Sequence, residues 1–229
     1  VVDPIPITVP PNSYSQVALQ DQTRVPKGIG HSVTVRSLSG PGVIAERVIS
    51  GVAPAPRRGY GPALGAPLQA TNWLFADGSA VANTSAEFVT IFNPSPDTVA
   101  RVSVAALAQG QSLAIDQLQN IEVQPAARLT LELGAHINRP DLTVMVSTSS
   151  PTVVERVLYP AAGSGISLSP GMPLADSVSL PVRALVTTTT TTTVPATIAP
   201  PTTTAPPATT APVTTAPATT APATTAPAN

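Results

Sequence analysis

Apolar and polar positions alternate with period two through most of the first 180 residues. Ile5, Ile7 and Val9 alternate with Pro6 and Thr8, Val17 and Leu19 flank Ala18, and Val33 and Val35 flank Thr34. Further on, Val89 and Ile91 sit between Phe88, Thr90 and Phe92, and Val102 and Val104 alternate with Arg101 and Ser103. Leu129, Leu131 and Leu133 alternate with Thr130 and Glu132, and Val144 and Val146 flank Met145. These runs are short, rich in β-branched residues and bounded by Pro, Gly, Asn or Asp, which is the signature of half-buried strands. Helical spacing is poor. The one candidate, Leu107 to Leu118, has Gly110 inside it and reads as strand and loop. Asp77-Gly78 is expected to end the strand that carries Trp73. Asn93-Pro94-Ser95-Pro96-Asp97 and Asn138-Arg139-Pro140-Asp141 carry the chemistry of turns, proline presetting φ and Asn or Asp bonding the local backbone. Short strands with turns between them predict antiparallel sandwiches.

The chain also repeats itself. Ile7-Thr8-Val9-Pro10-Pro11 matches Ile121-Glu122-Val123-Gln124-Pro125, and without a gap Val17 and Leu19 fall on Leu131 and Leu133. Pro41 to Val48, which contains Glu46-Arg47, matches Pro151 to Val157, which contains Glu155-Arg156, with one residue inserted. Gly65-Ala66-Pro67-Leu68 matches Gly171-Met172-Pro173-Leu174. Loops change length while strands do not, so the offset drifts. The unit is the size of one immunoglobulin-like sandwich, about 100 residues. The second copy opens near Trp73-Leu74-Phe75-Ala76-Asp77-Gly78 and runs through Phe88 to Ala106 before reaching Ile121; no counterpart of those strands precedes Ile5. An open half-sandwich would expose sheet edges and an apolar face. The expectation is therefore that the native protein extends further towards its N-terminus. The predicted architecture is all-β: tandem immunoglobulin-like antiparallel sandwich units, the first incomplete, then a disordered Thr/Pro-rich tail. Residues 1–51 form the C-terminal half of a first repeat, 52–70 a Pro/Gly-rich linker, 71–186 a second, complete repeat, and 187–229 a stalk.

The motif order Trp73-x-Phe75-Ala76-Asp77-Gly78, Phe88-Val89-Thr90-Ile91-Phe92-Asn93-Pro94, Val102/Val104, a Val-x-Pro strand and Val-Val-Glu155-Arg156 resembles a repeat of actinobacterial secreted and cell-surface proteins. The resemblance covers roughly Ile5 to Ala184. It implies tandem β-sandwiches at the cell surface and no activity, because that repeat family has none assigned. After Gly171 the pattern departs: Ser177-Val178-Ser179-Leu180 stands where another Trp-x-Phe-Ala-Asp-Gly would open a further repeat, which reads as the end of the array.

Composition narrows the function classes. The 11 Lys and Arg and 12 Asp and Glu all precede position 187, giving a net charge of -1. That balance argues against nucleic acid, whose binding needs a basic excess. Arg57-Arg58, the one basic cluster, reads as solvated linker. There are no cysteines, hence no disulfides or thiolate sites. No apolar run is long enough to span a bilayer, and no signal peptide is visible; with Val at position 1, a processed chain or a fragment is expected.

No residue pattern marks an active site. Glu46-Arg47 and Glu155-Arg156 recur in both copies; adjacent strand residues face opposite ways, so one of each pair points towards the interior or its rim, and the pairs read as strand charges bonded to a neighbour. Asp77, Asp97, Asp116, Glu122, Glu132 and Asp141 offer no spacing that singles out a partner acid. His31 and His136, the only histidines, lack metal-ligand spacing. There is no nucleophile elbow, phosphate loop or His-Glu-x-x-His. Gly163-Ser164-Gly165 has the wrong order for an elbow, and Gly59-Tyr60-Gly61 reads as linker. Trp73, the sole tryptophan, is either a core anchor or a sugar-stacking platform. The repeat motif thus reduces to Trp73, Asp77, Gly78, Asn93, Pro94, Glu46, Arg47, Glu155 and Arg156, read as structural. Asn83-Thr84-Ser85 fits an N-glycosylation pattern, incidental in a bacterial protein. No cofactor or metal is expected.

Four near-identical Thr-Thr-Ala-Pro pentads close the chain, after an unbroken Thr187 to Thr193. Regular proline favours polyproline II, and Thr with Pro is the composition of O-glycosylated stalks. Thr203, Thr209, Thr210, Thr214, Thr215, Thr219, Thr220, Thr224 and Thr225 are the candidate acceptors. The sequence reading is a non-catalytic, extracytoplasmic bacterial envelope protein, secreted or at the cell surface, whose partners are envelope components or polysaccharide. The alternative is a carbohydrate- or peptidoglycan-binding module, favoured by an exposed Trp73; an enzyme of unrecognised type ranks third.

Overall fold

The computed structural model describes residues 2–81, 84–108, 111–160, 164–175 and 182–184. The chain divides into Val1–Thr187 and Thr188–Asn229; the second unit, and with it every candidate acceptor threonine, lies outside the described residues, as do Asn83, Gly163 and the Ser177–Leu180 departure.

The described residues are all-β, with antiparallel sheets and only short 3-10 turns besides. β1 (Glu46–Gly51) and β2 (Gly59–Leu64) form a two-stranded sheet. The remaining strands form one network. They are β3 (Ala70–Ala80), β4 (Ser85–Phe92), β5 (Ala100–Ala108), β6 (Gln111–Ala114), β7 (Ile121–Val123), β8 (Arg128–Glu132), β9 (Arg139–Pro160), β10 (Ser167–Pro170), β11 (Met172–Pro173) and β12 (Val182–Ala184). Their order is β11-β3-β9-β5-β6-β12, with β7 on β5, β4 and β10 on β9, and β8 on β4. All pairings are antiparallel except β12 on β6.

β9 organises the network. Leu142 to Thr148 pair with β3 and β5, while Val153 to Pro160 pair with β4 and β10. One strand therefore serves two ladders, here called the β3 ladder and the β4 ladder. Their inward residues share one core: Trp73 and Phe75 from β3, Val89 and Ile91 from β4, Val102, Val104 and Ala106 from β5, and Leu142, Val144, Val146 and Val154 from β9. Each such side chain removed from water contributes about 1.5–3 kcal/mol, which is why the period-two pattern forms strands here.

The structure departs from the sequence reading at four places. Asp77-Gly78 does not end the Trp73 strand; β3 continues to Ala80, and its register to β9 shifts between Phe75 and Gly78, with Asp77 at φ 55°. The pair is a bulge, which a short polar residue tolerates at positive φ. Arg139-Pro140-Asp141 are not turn residues but the start of β9, a position where a strand accepts proline. Gly59-Tyr60-Gly61, expected as linker within 52–70, lie in β2. Finally, Ile5 to Val9, Val17 to Leu19 and Val33 to Val35 form no strands, and Ile7, Val9, Val33 and Val35 are 43–56% exposed. An alternating segment becomes a strand only where a neighbour supplies the ladder hydrogen bonds.

The two hairpins that carry Glu-Arg pair in corresponding register. In β1–β2, Glu46 faces Leu64, Arg47 faces Ala63 and Val48 faces Pro62. In β9–β10, Glu155 faces Pro170, Arg156 faces Ser169 and Val157 faces Leu168. The same closing hydrogen bond follows each hairpin: Gly65 N–H donates to Ala45 O (2.8 Å), and Gly171 N–H donates to Val154 O (3.0 Å).

Candidate functional site

The residues of the Trp-x-Phe-Ala-Asp-Gly motif and those of the Glu-Arg motif meet at one buried ion pair. Arg156 has the same parity on β9 as Val154 and faces Val89 across the ladder, so it points inward. Its Nη1 donates to Ala76 O (2.7 Å) and lies 3.8 Å from Oε1 of Glu87; its guanidinium stands 5.7 Å from the Phe75 ring. Glu87, on β4, shares the inward parity of Val89 and Ile91 and is 0% exposed. Neither of its carboxylate oxygens has a hydrogen-bond partner of good geometry. Burial pushes the Glu87 carboxyl above its ordinary range, opposed by the charge of Arg156 and by the nearby Ser79 backbone.

The bulge explains the glycine. A Cβ on Gly78 would lie 2.6 Å from Glu87 Oε1 and 2.7 Å from Leu142 O, the latter fixed backbone. Gly78→Ala is expected to cost about 2–3 kcal/mol through this overpacking beside a buried carboxylate. Urea denaturation checks it, and a change of under about 0.5 kcal/mol would mean that the carboxylate moves freely out of the way.

Asn93 is fully buried and fully used. Its Nδ2 donates to Thr98 O (2.7 Å), Val123 O (3.0 Å) and Gln124 O (3.2 Å), while its Oδ1 accepts from Ser95 N–H (3.1 Å). It clips the loop after β4 to the end of β7, and Pro94 follows it into that turn. Trp73 is 1% exposed, and its Nε1 donates to Ala70 O (3.0 Å). It is a core anchor, with no face to offer a sugar ring.

On the outer face of the β4 ladder, Arg47 pairs with Glu155, so the two copies of the Glu-Arg motif touch. Arg128 reaches Thr90 Oγ1 (3.1 Å), Thr130 Oγ1 (3.0 Å) and His31 O (3.0 Å) beside them. Burial lowers the pKa of Arg128 from its ordinary value, Arg47 lowers it further, and Glu155 opposes both. Arg57 is exposed, as expected of a solvated charge, and its guanidinium also lies over the rings of Phe88 (4.3 Å) and Tyr159 (4.9 Å), a cation–π contact at the surface. Glu46, Asp77, His31 and His136 are exposed and are not brought together.

Among the described residues, no group of three or more His, Asp or Glu could hold a metal ion, and no helix is long and apolar enough to cross a membrane. A shallow groove of about 420 Å³ runs between Ser79, Ser85, Tyr159, Pro160 and Ile166. Its lining is almost entirely apolar, and Ser85 Oγ already donates within it to Ser79 O (2.9 Å). The groove offers no acid–base pair.

No family model matches the chain, and no curated protein does. Among solved structures, the crystal structure of Thermotoga maritima 1070 matches with 18% identity over 46% of this chain and 95% of that one, at a TM-score of 0.38. That likeness is too slight to bear on fold or function.

Proposed function

We propose that the chain is a non-catalytic structural and display protein of the bacterial cell envelope, located outside the cytoplasm and carried on an O-glycosylated stalk. Its β3 and β4 ladders are taken as the two faces of an immunoglobulin-like sandwich of the actinobacterial surface-repeat type. The observation that carries this reading is where the repeat-motif side chains go. Trp73, Gly78, Asn93 and Arg156 are all engaged in packing, a bulge, a loop clip and a buried ion pair. Residues that recur with a motif and are consumed by the fold describe a scaffold; a ligand site would hold polar groups in reserve. The alternative of a carbohydrate- or peptidoglycan-binding module loses its platform with the burial of Trp73.

Intact mass of the native protein from culture supernatant and wall fractions tests the proposal. Hexose-spaced additions that map to the threonines between 187 and 225 are expected. Recovery of the bare polypeptide mass from the cytosol would overturn it.

A further inference from the structure

In the second copy, β7 pairs with β5, β8 with β4, β9 with β3, β4 and β5, β11 with β3 and β12 with β6. Among the strands from β7 onward, the β9–β10 hairpin is the one ladder made without β3 to β6. Residues 2–69 contain the equivalents of β7, β8 and β9 and no segment equivalent to β3 to β6. The one ladder that it forms is β1–β2, the counterpart of β9–β10 in the same register. Ile7 and Val9 stand where Ile121 and Val123 of β7 stand in the second copy, and Val17 and Leu19 where Leu131 and Leu133 stand. Val33 and Val35 lie in the stretch equivalent to the first half of β9. All three segments alternate, and none is paired among the described residues.

The arginine makes the same point. Arg156 faces inward against Phe75, Ala76 O and Glu87, all contributed by the opening strands β3 and β4. Its counterpart Arg47 meets no such strands among the described residues and takes Glu155 on the outer face of the neighbouring β4 ladder. The hairpin face that corresponds to the core face of the second copy is thus seated on a substitute surface.

We propose that residues 2–69 form an acceptor for a polypeptide segment of the same design as residues 70–120: an opening half with a Trp-x-Phe-Ala-Asp-Gly strand, a strand with an inward Glu, and a third alternating strand. The segment docks in register, pairs with the Val17 and Val33 segments as β4, β3 and β5 do with β8 and β9, and offers Arg47 a carboxylate in the role of Glu87. The proposal is independent of where the protein resides and of whether its tail is glycosylated.

The test fuses a duplicate of residues 70–120 ahead of the full 229-residue protein, which has no cysteine of its own. Thr90 and Thr130 face one another in the second copy, with Oγ1 atoms 3.2 Å apart, and Gln16 is the first-copy equivalent of Thr130. Thr90→Cys in the duplicate and Gln16→Cys in the body should form a disulfide at least about tenfold faster than Thr90→Cys with Ser15→Cys, whose side chain would project to the opposite face. Equal rates from the two positions would overturn the proposal. The cysteine-free fusion gives a second reading that does not depend on oxidation. Amide exchange at Val17, Leu19, Val33 and Val35 should slow by at least about a hundredfold relative to the parent protein, and unchanged exchange there would also overturn it.

Discussion

Arg156→Met is expected to lower stability at pH 7 by about 3–5 kcal/mol, because it strands the Glu87 carboxylate in the core. The variant loses the donor to Ala76 O and the cation that, among the described residues, faces Glu87, which is itself 0% exposed. The deficit should depend on pH with a definite sign. Glu87 has its folded pKa raised above the ordinary 4.5. Its neutral form therefore favours folding: the benefit is fully present below the unfolded value and is lost as pH rises through the folded one. Arg156 holds that folded value down, so its removal enlarges the loss at neutral pH. Urea midpoints of wild type and variant should converge as pH falls towards 4.5 and below, leaving only the lost packing and the lost hydrogen bond. The double variant Glu87→Leu, Arg156→Met removes both charges and should return to within about 1 kcal/mol of wild type, or exceed it. A gap between Arg156→Met and wild type that is the same at pH 4 and pH 7 would mean that Glu87 is not charged in the folded protein.

Asn93→Asp carries the second large effect. The replacement keeps an acceptor for Ser95 N–H but turns the donor amide into an oxygen that faces three carbonyls, the nearest at 2.7 Å. Three acceptors lose their partner, and a charge is buried against them. The expected cost is about 3–4 kcal/mol at pH 7, a fall in Tm of roughly 10 °C. Buried beside carbonyls, the new carboxyl would have a raised pKa, so part of the loss should reverse in acid, by the same sign argument as for Glu87. Asn93→Ala, which leaves the carbonyls unpaired but adds no charge, should cost less, about 2 kcal/mol. Calorimetry of both variants decides the matter; an Asp variant as stable as the Ala variant at neutral pH would show that the site admits water.

Much of this was legible in the alternation. Val89 and Ile91, Val102 and Val104, and Val144 and Val146 are inward strand residues, as their period-two spacing says. Ile7 and Val9, and Val33 and Val35, have the same spacing and form no strand, because alternation describes a face and is silent about whether a neighbour exists to bond it. The Asp77-Gly78 pair reads as a turn in any sequence; only the register to β9 reveals a bulge. Glu87 belongs to no motif, although its parity with Val89 and Ile91 places a carboxylate on the inward face. Arg156, two residues from Val154, carried the matching signal. Two opposite charges on inward positions of strands that read as neighbours are a pattern that can be sought in a bare sequence.

The order in which a ribosome delivers these strands has a consequence of its own. Among the described residues, β3, β4 and β5 make no ladder with one another; β9 is the strand that joins them, and Trp73 meets Val146 only after everything between has been synthesised. A nascent chain that stops short of Arg139 can assemble no more than the β5–β6, β5–β7 and β4–β8 pairs of the second copy. Folding is therefore a late event that closes across long stretches of chain, and by topology a slow one. Until its twenty-two-residue keystone arrives, the second copy holds its apolar strand faces open.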